Sequence, residues 1–329
     1  MCSLDIYFDD DYGKLYEEVE QGKAVVLKFK CEFGEIKYQF IKRKIPIKLD
    51  EEKTYFDIVT PYGYGGPLIE MCKVGKKEEL ISQFNMEFQR YCKENNVVSE
   101  FIRFHPIINN VEDFRMMYDV KHIRNTIETN IRDYKDVIQS QFGKGCRKNI
   151  RQALNKGVTY RVIESPDDIG NFKEIYYSTM NRNHAQEYYY FDDKYFEKCL
   201  YLFKNNIILV EAIFEDKVIA SGFYFVYNKI IHIHLSGTLS EYLYLSPAYI
   251  LRYGVTLWGK EHGYELIHHG GGKSNSLDDS LYKFKKQFSK DEELKFCVGK
   301  KIWNQEIYDR LCSARNVNEG EEFFPAYRV

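Results

Sequence analysis

The chain has 329 residues, 44% hydrophobic and 29% charged, the balance of a folded protein with two domains or one large one, which excludes fibrous, low-complexity and disordered classes. Lysine and arginine number 47 against 49 aspartates and glutamates, a formal charge of -2, so no global basic field draws the chain onto nucleic acid and any phosphate site must be local. The 28 tyrosines and 23 phenylalanines can pack a core and still hydrogen-bond at its rim.

The opening MCSLDIYFDDDYGKLYEEVEQGK lacks the charged start and apolar run of a signal peptide, and no apolar stretch reaches membrane-spanning length. A cytoplasmic protein without a membrane span is expected. Cys2, Cys31, Cys72, Cys92, Cys146, Cys199, Cys297 and Cys312 form no C-x-x-C pair, which argues against a disulfide framework or a zinc cluster and for reduced structural thiols.

From Val25 to Ile47, partial alternation predicts two antiparallel strands with a hairpin at Gly34. A short strand then enters the loop PYGYGGP (Pro61–Pro67), where proline and glycine stop regular structure. Helical spacing over Lys77–Asn95 precedes a strand at Val98–His105 and strands near Met116 and Thr126. A helix from about Arg132 to Lys156, broken at Gly143 and Gly145, ends at Gly157. There the chain starts afresh: strand Tyr160–Glu164, helices Ile169–Arg182 and Asp192–Asn205, then a meander at Ile207–Phe214, Lys217–Tyr227 and Lys229–Ser236. Ser246 and Pro247 form an N-cap and N1 pair for a helix ending at Gly263. Strand Glu265–His269 leads into Gly270, Gly271 and Gly272. A helix from Asp278 or Asp279, a strand Lys295–Val298 and a helix Asn304–Ala314 close an α+β layout.

Several motifs carry chemistry, each with a structural alternative beside it. The PYGYGGP loop lets a ligand approach backbone N–H groups at Gly65 while Tyr62 and Tyr64 stack on a sugar or base; it also fits a structural turn. Arg103, between Ile102 and Phe104 on a buried strand, must meet a carboxylate or a bound anion. Arg147 and Arg151, one turn apart, can clamp a diphosphate or an RNA backbone, or simply form a solvated basic face. Arg182, His184 and Tyr188–Tyr190 cluster at a helix end, and Tyr190 can reach a ligand or pack at a domain junction. His232 and His234 share a strand face without a third ligand at metal spacing, and a metal is rejected. Glu211 in ILVEAIF is either a proton acceptor with a raised pKa or a salt-bridged structural acid. There is no G-x-S-x-G elbow and no P-loop.

The order of the second half, a helix pair, a three-strand meander, a helix opening at Ser246 and a strand, resembles the GNAT acyltransferase fold. PYGYGGP, RFHP at Arg103–Pro106, the basic stretch Arg147–Gly157, STMNRNHAQEYYYF at Ser178–Phe191, HLSGT at His234–Thr238, HHGGG at His268–Gly272 and SLYKFKKQF at Ser280–Phe288 together look like the FemAB-type branch. Members of that branch carry two GNAT-like domains and build peptidoglycan cross-bridges. The resemblance implies two such domains, 1–157 and 158–329, each a mixed, mostly antiparallel sheet flanked by helices, with the acyl-transfer site in the second.

It further implies that Lys285 lies near the transfer centre, stabilising an oxyanion or holding a donor phosphate, with Gly271 letting substrate approach the backbone. Ser246, Ala248 and Phe284 are then donor-binding, because donor phosphates sit at the start of that helix. GNAT members have a Q/R-x-x-G-x-G/A turn there, whereas this chain reads LYLSPA from Leu243 to Ala248, a departure that agrees with an aminoacyl-tRNA donor. The implied function is transfer of an aminoacyl or acyl group to an amine of a cell-wall precursor or amino sugar, with acyl-CoA or aminoacyl-tRNA as donor. No tightly bound cofactor, metal or DNA is expected. The alternatives are an acyl-CoA-dependent N-acetyltransferase acting on a sugar nucleotide or small metabolite, and a non-catalytic glycan- or RNA-binding module on a degenerate GNAT fold.

Overall fold

The computed structural model describes residues 4–50, 53–318 and 320–329, so Cys2 lies outside the described residues; the other cysteines are free thiols. In chain order the elements are β1 (Gly22–Cys31), β2 (Gly34–Lys44), β3 (Phe56–Val59), β4 (Leu68–Cys72), α1 (Lys77–Glu94), β5 (Val97–Arg103), α2 (Val111–Phe114), β6 (Asp119–Asn130), α3 (Val137–Gln141) and α4 (Lys144–Asn155). They continue as β7 (Thr159–Glu164), α5 (Gly170–Arg182), α6 (Asp193–Phe203), β8 (Ile207–Phe214), β9 (Lys217–Tyr227), β10 (Ile230–Thr238), α7 (Pro247–Glu261), β11 (Leu266–Gly271), α8 (Ser280–Lys286), β12 (Leu294–Ile302) and α9 (Gln305–Ala314). Met116, expected in a strand, lies in a short 3-10 turn instead, and the helix expected from Arg132 starts only at Val137, where Asp136 accepts a bond from the Gln139 N–H.

The chain divides into two compact units, residues 4–6 with Arg124–Leu294, and Tyr7–Ile123 with Lys295–Val329. A single cut at 157/158 does not describe this division. Helices α3 and α4, which precede that cut, bury Val137, Phe142, Cys146, Ile150 and Ala153 in one core with β8, β9 and α7. Strand β12 and helix α9, which follow it, return to β5: Val298–Ile302 pair antiparallel with it, and Ile307 and Leu311 pack with Val98. Contiguous reading of a sequence has no means of seeing such a return.

In the unit that holds the N-terminal strands, the sheet runs β1-β2-β3-β5-β12, with β4 also on β2. All pairs are antiparallel except β3 with β5. Helix α1 covers it with Leu80, Phe84, Phe88 and Cys92, which recur every four residues and so share one face. The other unit has the order β7-β8-β9-β10-β11-β6, antiparallel except for β10 with β11. Alternation along these strands sends Ile208, Val210 and Ala212 to the core under α4 and α7. Phe223 faces the other side, against Phe172 of α5 and Phe196 of α6.

Candidate active site

Strands β10 and β11 pair through only three residues, Ile230–His232 with Leu266–His268. Beyond them each strand shifts register and stays with its outer neighbour, β10 with β9 as far as Thr238, β11 with β6 as far as Gly271. The two therefore fork, and backbone groups of both strands become available between them. Helix α7 packs on β7, β8, β9 and β10, and α8 packs on β11.

Lys285 sits at this fork. Asp279 caps α8 by accepting from the Tyr282 N–H, Phe284 and Phe288 turn into the core, and the Lys285 Nζ donates to the Gly271 carbonyl at 2.7 Å. The residue is half-buried, but burial of its ammonium, with Arg252 and Arg124 beside it, lowers its pKa to about 7. Gly271 cannot carry a side chain: a Cβ would stand 2.8 Å from the Asn125 carbonyl oxygen and 2.9 Å from Arg124 Cδ. The glycine required by the HHGGG motif thus serves close packing of β11 on β6 as well as the lysine's acceptor carbonyl.

Three residues of the site were not singled out from the sequence. Arg252 interrupts the apolar face of α7 and is 4% exposed; its Nη1 donates to the Tyr224 phenol at 3.0 Å. Arg124 on β6 donates from Nη1 to the Gly272 carbonyl at 2.5 Å. His269 is the first residue of β11 past the fork. The Thr129 hydroxyl donates to the Phe288 carbonyl (2.8 Å) and so must accept from His269 Nε2 (2.8 Å), which leaves Nδ1 as the bare ring nitrogen. Burial, Arg252 and Lys285 together hold this imidazole neutral, well below the usual histidine range. A lone arginine in YILRYGVTLW, and His269 within HHGGG, are the sequence signals that could have pointed here. Glu128, opposite His268 in the β6–β11 register, is pushed up to about 6 by burial and by Asp291.

Glu211 does not join this group. It is 2% exposed on β8 and accepts from Arg161 Nε at 2.6 Å across the β7–β8 pair. Its neighbours Val210 and Ala212 face the α7 side, so Glu211 points to the opposite face of the sheet from Lys285. The proton-acceptor reading is corrected accordingly: the arginine holds it as a structural acid.

At the start of α7, Ser246 occupies the N-cap in a left-handed backbone (φ 54°, ψ 44°) and makes no side-chain cap. Capping needs an extended backbone, so the expected cap pair is corrected to Pro247 alone. Pro247 has no N–H and the Tyr249 N–H is taken by the Ser246 carbonyl, so few amides besides that of half-buried Ala248 remain there for an anion. Phe284 packs edge-on to Tyr249 at 5.1 Å.

The remaining residues are held by backbone carbonyls or side chains of the same chain. Arg147 Nη1 donates to the Phe142 and Gln139 carbonyls, tying α4 to the end of α3 rather than facing a diphosphate beside exposed Arg151. Arg182 Nη1 reaches the Thr238 carbonyl and the Ser240 hydroxyl. The Tyr190 hydroxyl donates to Asn181 and its ring stacks on Tyr177. His232 takes Asp5 and His234 takes the Tyr195 hydroxyl, so the two imidazoles do not share a ligand. In the other unit Arg103 is half-buried and donates to the Thr60 carbonyl at 2.8 Å over the Phe101 ring, so neither the expected carboxylate nor an anion is what holds it. The PYGYGGP loop there is an ordered turn: the Gly65 N–H donates to the Arg103 carbonyl, Asn110 donates to Gly65 and Pro67, the Tyr62 carbonyl accepts from Tyr12, and Tyr64 packs on Tyr7, His105 and Phe296.

Residues 140–286, which run from the end of α3 through α8, match the family model of the acetyltransferase (GNAT) domain. A UDP-N-acetylmuramoylpentapeptide-lysine N(6)-alanyltransferase from Weissella viridescens is 26% identical over 168 residues, 50% of this chain and 48% of that protein, so the match spans about half the relative's length. A crystal structure of FemX aligns with a TM-score of 0.69 at 13% identity over 93% of this chain and 94% of the other. L-PGS from Bacillus licheniformis aligns with a TM-score of 0.54 at 15% identity over 92% and 95%. No helix among the described residues is long and apolar enough to cross a membrane. The segment that holds the forked parallel pair is thus similar to the acetyltransferase (GNAT) domain, and the fold of the chain is similar to that of FemX.

Proposed function

We propose that the protein transfers an aminoacyl or acyl group to an amine of a cell-wall precursor, with Lys285 at the reacting carbonyl. The observation that carries this reading is the ammonium of Lys285, fixed on the Gly271 carbonyl where β10 and β11 part. In the reaction the acceptor nitrogen attacks the acyl carbon, the C–N bond forms, and the bond to the donor's oxygen or sulfur breaks. The nitrogen loses a proton and the leaving group gains one. A cation in a site of low polarity stabilises the intermediate oxyanion without a covalent enzyme intermediate.

The relative's alanyl transfer supports an aminoacyl donor, and the glycine-free LYLSPA turn with its proline supports it further. The GNAT domain match supports an acyl-CoA donor, and both belong in the test. Purified protein should be offered aminoacyl-tRNA or acyl-CoA with UDP-linked muropeptides or amino sugars, and the product followed by mass spectrometry. Lys285→Met should lower turnover by about 10²–10³ with the fold intact, the usual loss for one oxyanion donor. Equal turnover in the variant removes Lys285 from the reaction; no product with any pair favours a binding module.

A further inference from the structure

Arg252 and Arg124 carry positive charge, as does Lys285 when protonated, and all three donate to neutral oxygens: the Tyr224 phenol, the Gly272 carbonyl and the Gly271 carbonyl. Among the described residues none of them has a carboxylate within ion-pair distance. The acid that does act on Lys285, Asp279, is already engaged by the N–H groups of Lys273, Ser274 and Tyr282. The Nε–H groups of Arg124 and Arg252 are buried and have no acceptor among the described residues. Arg252 is the extreme case, in a helix face shared with Leu251, Val255 and Trp258. A buried cation without a counter-charge costs folding free energy unless a ligand discharges it. The guanidinium edge, two donors in one plane, is shaped for the two oxygens of a carboxylate or phosphate.

We propose that Arg252, together with Arg124 near the same lysine, binds an anionic oxygen group of the substrate, a phosphate or a carboxylate. This rests on the reading of Lys285 as the transfer centre and deepens it. A phosphate there would belong to the nucleotide end of the donor. A carboxylate would belong to a peptide acceptor.

The test is calorimetric titration of the full chain with adenosine 5′-monophosphate for the first source and N-acetylalanine for the second, at ionic strength held constant with sodium chloride. One of the two is expected to bind and to raise the melting midpoint, and Arg252→Met should weaken that binding at least tenfold. In buffer free of both anions Arg252→Met should melt at or above the parent, because an unpaired charge has left the core; a purely structural arginine would give the opposite. Arg124→Met, at a half-buried position, repeats the binding test should Arg252→Met fail to fold. The proposal is overturned when neither anion binds the parent chain, or when both replacements leave the affinity unchanged. Because the readout is binding, a chain that binds the anion yet transfers nothing overturns the proposed function alone.

Discussion

Asp57 and Arg252 are both buried ionic side chains, one in each compact unit, and their surroundings differ. Asp57, 0% exposed, accepts from Arg43 Nε at 2.7 Å and Arg328 Nε at 2.6 Å, while Arg43 Nη1 reaches Glu20 at 3.0 Å. Nearby Glu100 is likewise fully buried and takes the Tyr38, Tyr118 and Trp303 donors. Among the described residues, the buried carboxylate of Asp57 is answered by two guanidinium groups, and Glu100 by three side-chain hydrogen-bond donors. Around Arg252 the charges share one sign and lean on carbonyls and a phenol. A closed network holds strands together, whereas an open one is kept for what binds to it.

The sharpest way to break this contrast is Asp57→Ala, which removes the carboxylate partner of Arg328 and leaves Arg43 only Glu20. It should cost about 3–5 kcal/mol in urea unfolding. A loss under about 1 kcal/mol would mean that the closed network contributes little and the comparison fails.

Next comes the pH dependence of Glu100, whose pKa burial pushes up to about 7 from 4.5 against the bonds from Tyr38, Trp303 and Tyr118. Between those values the unfolded carboxyl has lost its proton and the folded one has kept it, so stability falls as pH rises through the window and is flat above it. The effect is on the order of 3 kcal/mol. Unfolding curves from pH 4 to 8 should show this slope in the parent and lack it in Glu100→Gln.

Lys285 runs the other way. Its folded pKa of about 7 lies below the usual lysine value of 10.5, so it makes stability rise with pH between them. Turnover that uses the ammonium should fall above about pH 7. Lys285→Arg should move that fall upward even where it lowers the rate, and an unmoved pH profile would detach the limb from this residue.

The smallest effect belongs to Glu211→Gln. Its arginine partner is half exposed, so about 1 kcal/mol of stability should go, with transfer rates unchanged. A large rate loss at unchanged stability would return Glu211 to the reaction.

Much of the fold was legible in the order of elements. Periodicity and turn residues place α1, β5, β7, α5, the meander β8–β10, α7 and α9 within a few residues of their observed bounds. The meander turns fall at Glu215–Asp216 and Asn228, where the backbone is left-handed. The motif around Lys285 falls on α8. What escaped is long-range. Glu211 reads the same in sequence whichever face of the sheet it takes, and its strand register with Arg161 decides that face. Arg103 and Arg147 look like anion clamps until the carbonyls of Thr60, Phe142 and Gln139 come within reach.

By itself the sequence determined local conformation and an ordered set of motifs, because propensity, capping and apolar spacing act within a few residues. Tertiary structure alone decided which charges are answered and which are left open. It brings β12 and α9 back to β5, parts β10 from β11 after His232, and sets Arg124, Arg252 and His269 around Lys285 from three separate elements. The physical reason is that the cost of a buried charge depends on the groups within a few ångströms of it, and those come from segments far apart in the chain.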